Sequence, residues 1–114
     1  MNIFCTGNKS KKNFYKTVEK VSEISETYKH NLYLDKELSR SSSVMSLISF
    51  NDFIAKKSPN LVFSIGGDGS LLNTLRMMGS NQLPILGIHI GKLGFLNQLH
   101  SNNIEDVLHD FFRF

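Results

Sequence analysis

The sequence predicts an α/β domain, an open and mostly parallel sheet with helices on both faces. Three observations carry that reading. Apolar runs of strand length alternate with stretches of helical periodicity along all 114 residues. One run, "NLVFSI", is apolar almost throughout, as a strand covered on both faces must be. Two glycine-bearing segments, "GGDG" and "GKLGFL", directly follow strands, at the edge where such sheets place ligands.

Each element has its own reason. "NIFCTG" reads as a short buried strand closed by Gly7. Phe14, Val18, Val21, Ile24 and Tyr28 recur at steps of three or four, which predicts an amphipathic helix over roughly 10–29. Its outer face carries Lys16, Glu19, Lys20, Glu23 and Glu26, a solvated face. "NLYLD" alternates and gives a second strand over 31–35. "SRSSSV", at 39–44, is expected to be a mobile loop, too short to separate domains. In "SLISFNDFIAKKS", Leu47, Ile48, Phe50, Phe53 and Ile54 are expected on one face of a helix that ends in Lys-Lys before Pro59. The strand "NLVFSI", the glycine loop, a helix "SLLNTLRMMGS" ending near Gly79, and the strand "LPILGIHI" follow in turn. After a loop, Asn102 with Glu105 three residues on resembles a helix start before "IEDVLHDFF".

Composition narrows the class of function. A hydrophobic content of 40% with 20% charged residues is ordinary for one soluble domain. The net charge is +3, and ten of the thirteen Lys and Arg residues precede residue 58 together with six of the ten acids. That mixture is a solvated surface and argues against nucleic acid as a partner. No apolar run reaches the roughly 20 residues of a membrane span, and the first residues have the wrong charge order for a secretory signal. Cys5 is the single cysteine, so no intrachain disulfide can form; a reducing, cytoplasmic setting is expected, with Cys5 buried and inert.

The segment "SIGGDGS", residues 64–70, poses the functional question. Its spacing fits neither the Walker loop nor the Gly-x-Gly-x-x-Gly fingerprint. Gly66, Gly67 and Gly69 can take backbone angles closed to other residues and lack side chains that would hold a ligand away. The N–H groups of the helix that follows are suited to an anion. Asp68 among them has two readings. It is a helix N-cap or turn residue. Alternatively it faces a hydroxyl to be phosphorylated, taking its proton or helping to hold a metal that neutralises phosphate.

Together "GGDGSLL" and "GIHIGKLGFL" resemble the NAD kinases, which phosphorylate the adenosine-ribose 2′-hydroxyl of NAD to give NADP. Lipid kinases of the diacylglycerol and sphingosine type share the Gly-Gly-Asp-Gly loop, while the Leu-Gly-Phe-Leu element is more particular to NAD kinases. The resemblance covers roughly residues 60–100 well. It implies that Asp68 is the general base and that Gly66, Gly67 and Gly69 form the phosphate-side loop. Ser70 stands where the family usually has Thr. Asn73 is either a dinucleotide contact or a solvent-facing helix residue. Phe95 either packs against the adenine end of NAD or is a core aromatic beneath the loop. The resemblance also implies ATP or polyphosphate as donor, a divalent cation such as Mg²⁺, and a homo-oligomer in the full-length enzyme. It further implies a second, β-rich domain, so that residues 1–114 look like the N-terminal domain and are expected to be inactive alone. A lipid kinase, or a flavodoxin-like module that merely holds an anion, remains the alternative.

Other residues are read more plainly. His89 stands where Asn is usual in the family and, between Ile88 and Ile90, is expected to be structural. Lys92 stands where the family often has a basic residue that could attract phosphate, and is expected to be an exposed lysine. His30, His100 and His109 form no metal spacing. Met77 and Met78 are expected to fill the core.

Overall fold

The computed structural model describes residues 1–40, 45–90, 99–100 and 104–113. Six strands form one sheet: β1 (Asn2–Gly7), β2 (Asn31–Asp35), β3 (Leu47–Ile48), β4 (Pro59–Gly66), β5 (Ile85–His89) and β6 (Leu99–His100). The helices are α1 (Phe14–Thr27), α2 (Phe50–Lys56), α3 (Asp68–Met78) and α4 (Ile104–Arg113), and a 3-10 turn, Lys36–Leu38, follows β2. The strand order is β3-β2-β1-β4-β5-β6, and every pair is parallel. The expected α/β class is the one observed.

The side-chain period of two sorts the strand residues between two layers. Ile3, Cys5, Leu61, Phe63 and Ile65 pack with Phe14, Val18, Val21 and Ile24 of α1 and with Ile104 and Leu108 of α4. Phe4 and Val62 point the other way, onto Phe50 and Phe53 of α2 and Met78 of α3. Phe4 meets Phe50 edge to face, with ring centroids 5.3 Å apart. The crossover helices α1 and α3 lie on opposite faces because their chains step in opposite directions from the centre, as crossovers of one hand require. Cys5 is fully buried, and burial with the nearby Asp35 charge pushes its thiol up to about 12, so it stays protonated at neutral pH.

Several boundaries differ from the sequence reading. Leu47 and Ile48 form a strand, not the start of a helix, because Ser49 interrupts as an N-cap whose hydroxyl accepts the Asp52 N–H at 3.1 Å. α1 begins at Phe14, after Asn13 in the left-handed region at φ 68°. The segment read as loop before the last helix contributes β6, which pairs with β5 and covers its edge. Met78 is core, whereas Met77 is half-buried. The 41–44 part of the expected loop, and Asn102, lie outside the described residues.

Candidate functional site

From β1 the chain builds outward to β2 and β3; from β4 it builds the other way, to β5 and β6. The order therefore reverses between β1 and β4, and the crevice above their carboxyl ends is where open α/β sheets take ligands. A cavity of about 720 Å³ opens there, within the range of about 300–1,000 Å³ usual for small-molecule sites. One wall is the end of β1 and its loop, with Gly7, Asn8 and Lys11. The other is α3, with Gly67, Asp68, Gly69, Ser70 and Asn73, and Glu37 joins from the turn after β2.

The three glycines of the loop have different reasons. Gly66 has φ +155°, and a Cβ there would lie 2.3 Å from Ser70 Oγ. Its carbonyl accepts the Ile90 N–H at 2.9 Å, which fixes the loop to the end of β5. Gly67 and Gly69 need no special angle, and among the described residues nothing lies within 4 Å of a Cβ built on either. Of the three, only Gly66 takes an angle that favours glycine. Gly69 lies in the first turn of α3, where glycine costs about 0.5–1 kcal/mol relative to alanine. Among the described residues nothing packs against Gly69 in return for that cost. Gly69→Ala should therefore raise the melting temperature by a few degrees, on the order of 1 kcal/mol, while weakening nucleotide binding. Melting curves and ATP titration of the same sample check both halves; unchanged affinity would mean no ligand lies against Gly69.

Hydroxyls set the pitch of α3 on β4. Thr74 Oγ1 donates to the Ser70 carbonyl at 2.9 Å and lies 2.9 Å from Ser64 Oγ. Thr74 has one hydroxyl proton, already given to Ser70, so Ser64 is the donor in the second bond. Both side chains are buried. Ser70 Oγ lies 3.5 Å from the Gly67 N–H, a long contact across the helix start.

Asp68 is the first residue of α3, half-buried, and lines the cavity. Gly67 occupies the cap, so the N-cap reading of Asp68 does not hold. A carboxylate in the first turn is favoured by the positive end of the helix dipole. Asn73 is exposed and also lines the cavity. His89 is buried at the end of β5, in register with Gly66, and does not line the cavity. Phe95 and Lys92 lie outside the described residues.

Sequence reasoning missed Gly7, Asn8, Lys11 and Glu37. Gly7 has φ +153°, and the Asn8 N–H donates to the Ile65 carbonyl at 2.9 Å. The available signal was "TGNKSKK", a glycine and a basic run directly after a strand. A second cavity of about 330 Å³ adjoins the first along the same sheet edge, sharing Glu37 and Met77 with it. Among the described residues no three His, Cys, Asp or Glu side chains cluster as for a metal, and no helix is long and apolar enough to cross a membrane.

Comparison with known proteins fits this geometry. The family described as the ATP-NAD kinase N-terminal domain matches residues 5–113. An NAD kinase of Bacteroides fragilis is 32% identical over 100 residues, covering 87% of this chain and 33% of that protein. An NAD kinase of Rhodopirellula baltica is 51% identical over 51 residues, 45% of this chain and 16% of that protein. The crystal structure of yeast NADH kinase complexed with NADH shares the fold, with a TM-score of 0.78 and 20% identity over 99% of this chain and 36% of that one. The chain thus spans a third or less of the length of these curated relatives. A family match running nearly end to end, over a sheet that sets a Gly-Gly-Asp-Gly loop at its switch point, places the chain in the NAD kinase family.

Proposed function

We propose that this chain is the phosphate-handling N-terminal domain of an NAD kinase, which transfers a phosphoryl group to the adenosine-ribose 2′-hydroxyl of NAD. The observation that carries the reading is Asp68 in the first turn of α3, lining the switch-point cavity. In this reading its carboxylate accepts the proton of the attacking hydroxyl. The first-turn N–H groups of α3, which have no acceptor within the helix, hold phosphate oxygens together with Lys11. Gly66 shapes the loop, Gly67 and Gly69 leave room for the ligand, and Ser70 and Asn73 offer polar contacts. Phe95 packs against the adenine end of NAD.

The donor is ATP or polyphosphate, carried with Mg²⁺. Two carboxylates, Asp68 and Glu37, line the cavity, which suits a cation held mainly by the donor's phosphates. When bound, such a cation neutralises charge on the transferring group. The full protein is proposed to be soluble, cytoplasmic and homo-oligomeric, and to grip NAD with a second, β-rich domain.

The test is NADP formation from NAD, ATP and Mg²⁺ by the full-length protein and by residues 1–114. The full-length protein should be active and the 114-residue chain inactive. A base without an oriented acceptor forfeits the proximity effect, worth about 7–11 kcal/mol of a barrier. Robust NADP formation by residues 1–114 would overturn this division of labour, and phosphorylation of a lipid but not of NAD would overturn the reaction.

A further inference from the structure

The groove does not end at the phosphate loop. Its second cavity runs on over the ends of β2 and β3, and its two ends differ in chemistry. At the α3 end, Lys11 and the helix start favour anionic oxygen, with Asp68 as the local carboxylate. At the other end, among the described residues, Asp35 and Glu37 stand with one cation, Lys36, and with the apolar Phe50 and Met77. The Asp35 carboxylate is already engaged: Oδ2 accepts from Thr6 Oγ1 and Oδ1 from the Glu37 N–H, both at 3.1 Å. Glu37 is exposed and borders both cavities.

We infer that Glu37 selects the phosphoryl donor, its carboxylate accepting hydrogen bonds from the ribose hydroxyls of a nucleoside triphosphate and repelling the continuing anionic chain of a polyphosphate. The inference rests on the kinase reading above and deepens it. A donor whose phosphates lie at α3 must extend past Glu37 if it extends along the groove. A polyphosphate would bring further negative charge there, against two carboxylates and one lysine. A nucleoside brings hydroxyl donors instead, then a flat base for the half-buried Met77. An acid just past the second strand is also where sheets of this order read ribose hydroxyls. Because Glu37 is exposed and screened by salt, the discrimination is on the order of tenfold, not thousands.

The experiment titrates residues 1–114 with ATP and, separately, with a long linear polyphosphate, both with Mg²⁺, following the backbone amide signals of residues 67–70. The result is a ratio of affinities, so weak absolute binding is no obstacle. The native chain should favour ATP about tenfold over an equal concentration of polyphosphate sites. Glu37→Gln should weaken ATP and strengthen polyphosphate, collapsing the ratio. Lys11→Ala should weaken both alike. If Lys11→Ala weakens both ligands but Glu37→Gln leaves the ratio unchanged, the inference is overturned while the phosphate site stands. If neither ligand moves the 67–70 signals, the phosphate site is overturned and the inference with it.

Discussion

Asp68→Asn in the full-length enzyme is expected to lower NADP formation by about 10²–10⁴-fold, the usual worth of a general base. The substitution keeps the shape of the side chain and removes its ability to take a proton. Stability should change little. The carboxylate occupies the first turn of α3, where its interaction with the helix dipole is worth about 0.3–1 kcal/mol. No side-chain cap is lost, since Gly67 holds that position. Steady-state NADP assays and thermal melts on one preparation separate the two effects. An Asn variant with near wild-type turnover would sink the base assignment, whatever its stability.

Gly7→Ala should produce the largest loss of stability of any single methyl group added to this site. Gly7 has φ +153°, and an added Cβ would sit 1.9 Å from the Ile65 carbonyl oxygen. That atom is backbone of the central strand, paired with Gly7 in register, so neither partner can yield without breaking the β1–β4 ladder. Strain and collision together should cost on the order of 3 kcal/mol, or roughly 10–20 °C in Tm for a domain of this size. Gly67→Ala is the control, with no described residue near its Cβ and an ordinary φ of −123°. Equal melting temperatures for the two alanine variants would contradict the backbone described for β1.

What could be read from the sequence was local. Period-two and period-three-to-four patterns identified the strands and helices, and "SIGGDGS" marked the loop whose residues 67–70 line the cavity. The continuous apolar run in "NLVFSI" also foretold burial on both faces, as Phe63 and Val62 show by packing in opposite layers. What failed was either too short or too distant. Leu47 and Ile48 fit a helical stripe as well as a strand, and only pairing of β3 with β2 decides between them. Gly66, Gly67 and Gly69 look alike as letters, yet only one has a backbone that demands glycine. Lys11 and Glu37 belong to the groove because β1 lies between β2 and β4, a fact of strand order that no local pattern carries. Met77 was assigned to the core by its spacing, but the spacing did not reveal that α3 turns it toward the groove edge.

The β1–β4 ladder also dictates when the groove can exist during folding. Ile3 pairs with Leu61 and Gly7 with Ile65, so the central seam joins the beginning of the chain to its middle. Each flank of the sheet can assemble from nearer neighbours, β1 with β2 and β4 with β5. Neither flank alone has both walls of the groove. Closing the seam requires a long chain loop, entropically slow compared with local pairing. A phosphate ligand that spans the loop after β1 and the start of α3 can recognise only the joined form. It therefore pulls the folding equilibrium toward closure in proportion to its occupancy, and ligand concentration becomes a determinant of how long the two flanks stay together.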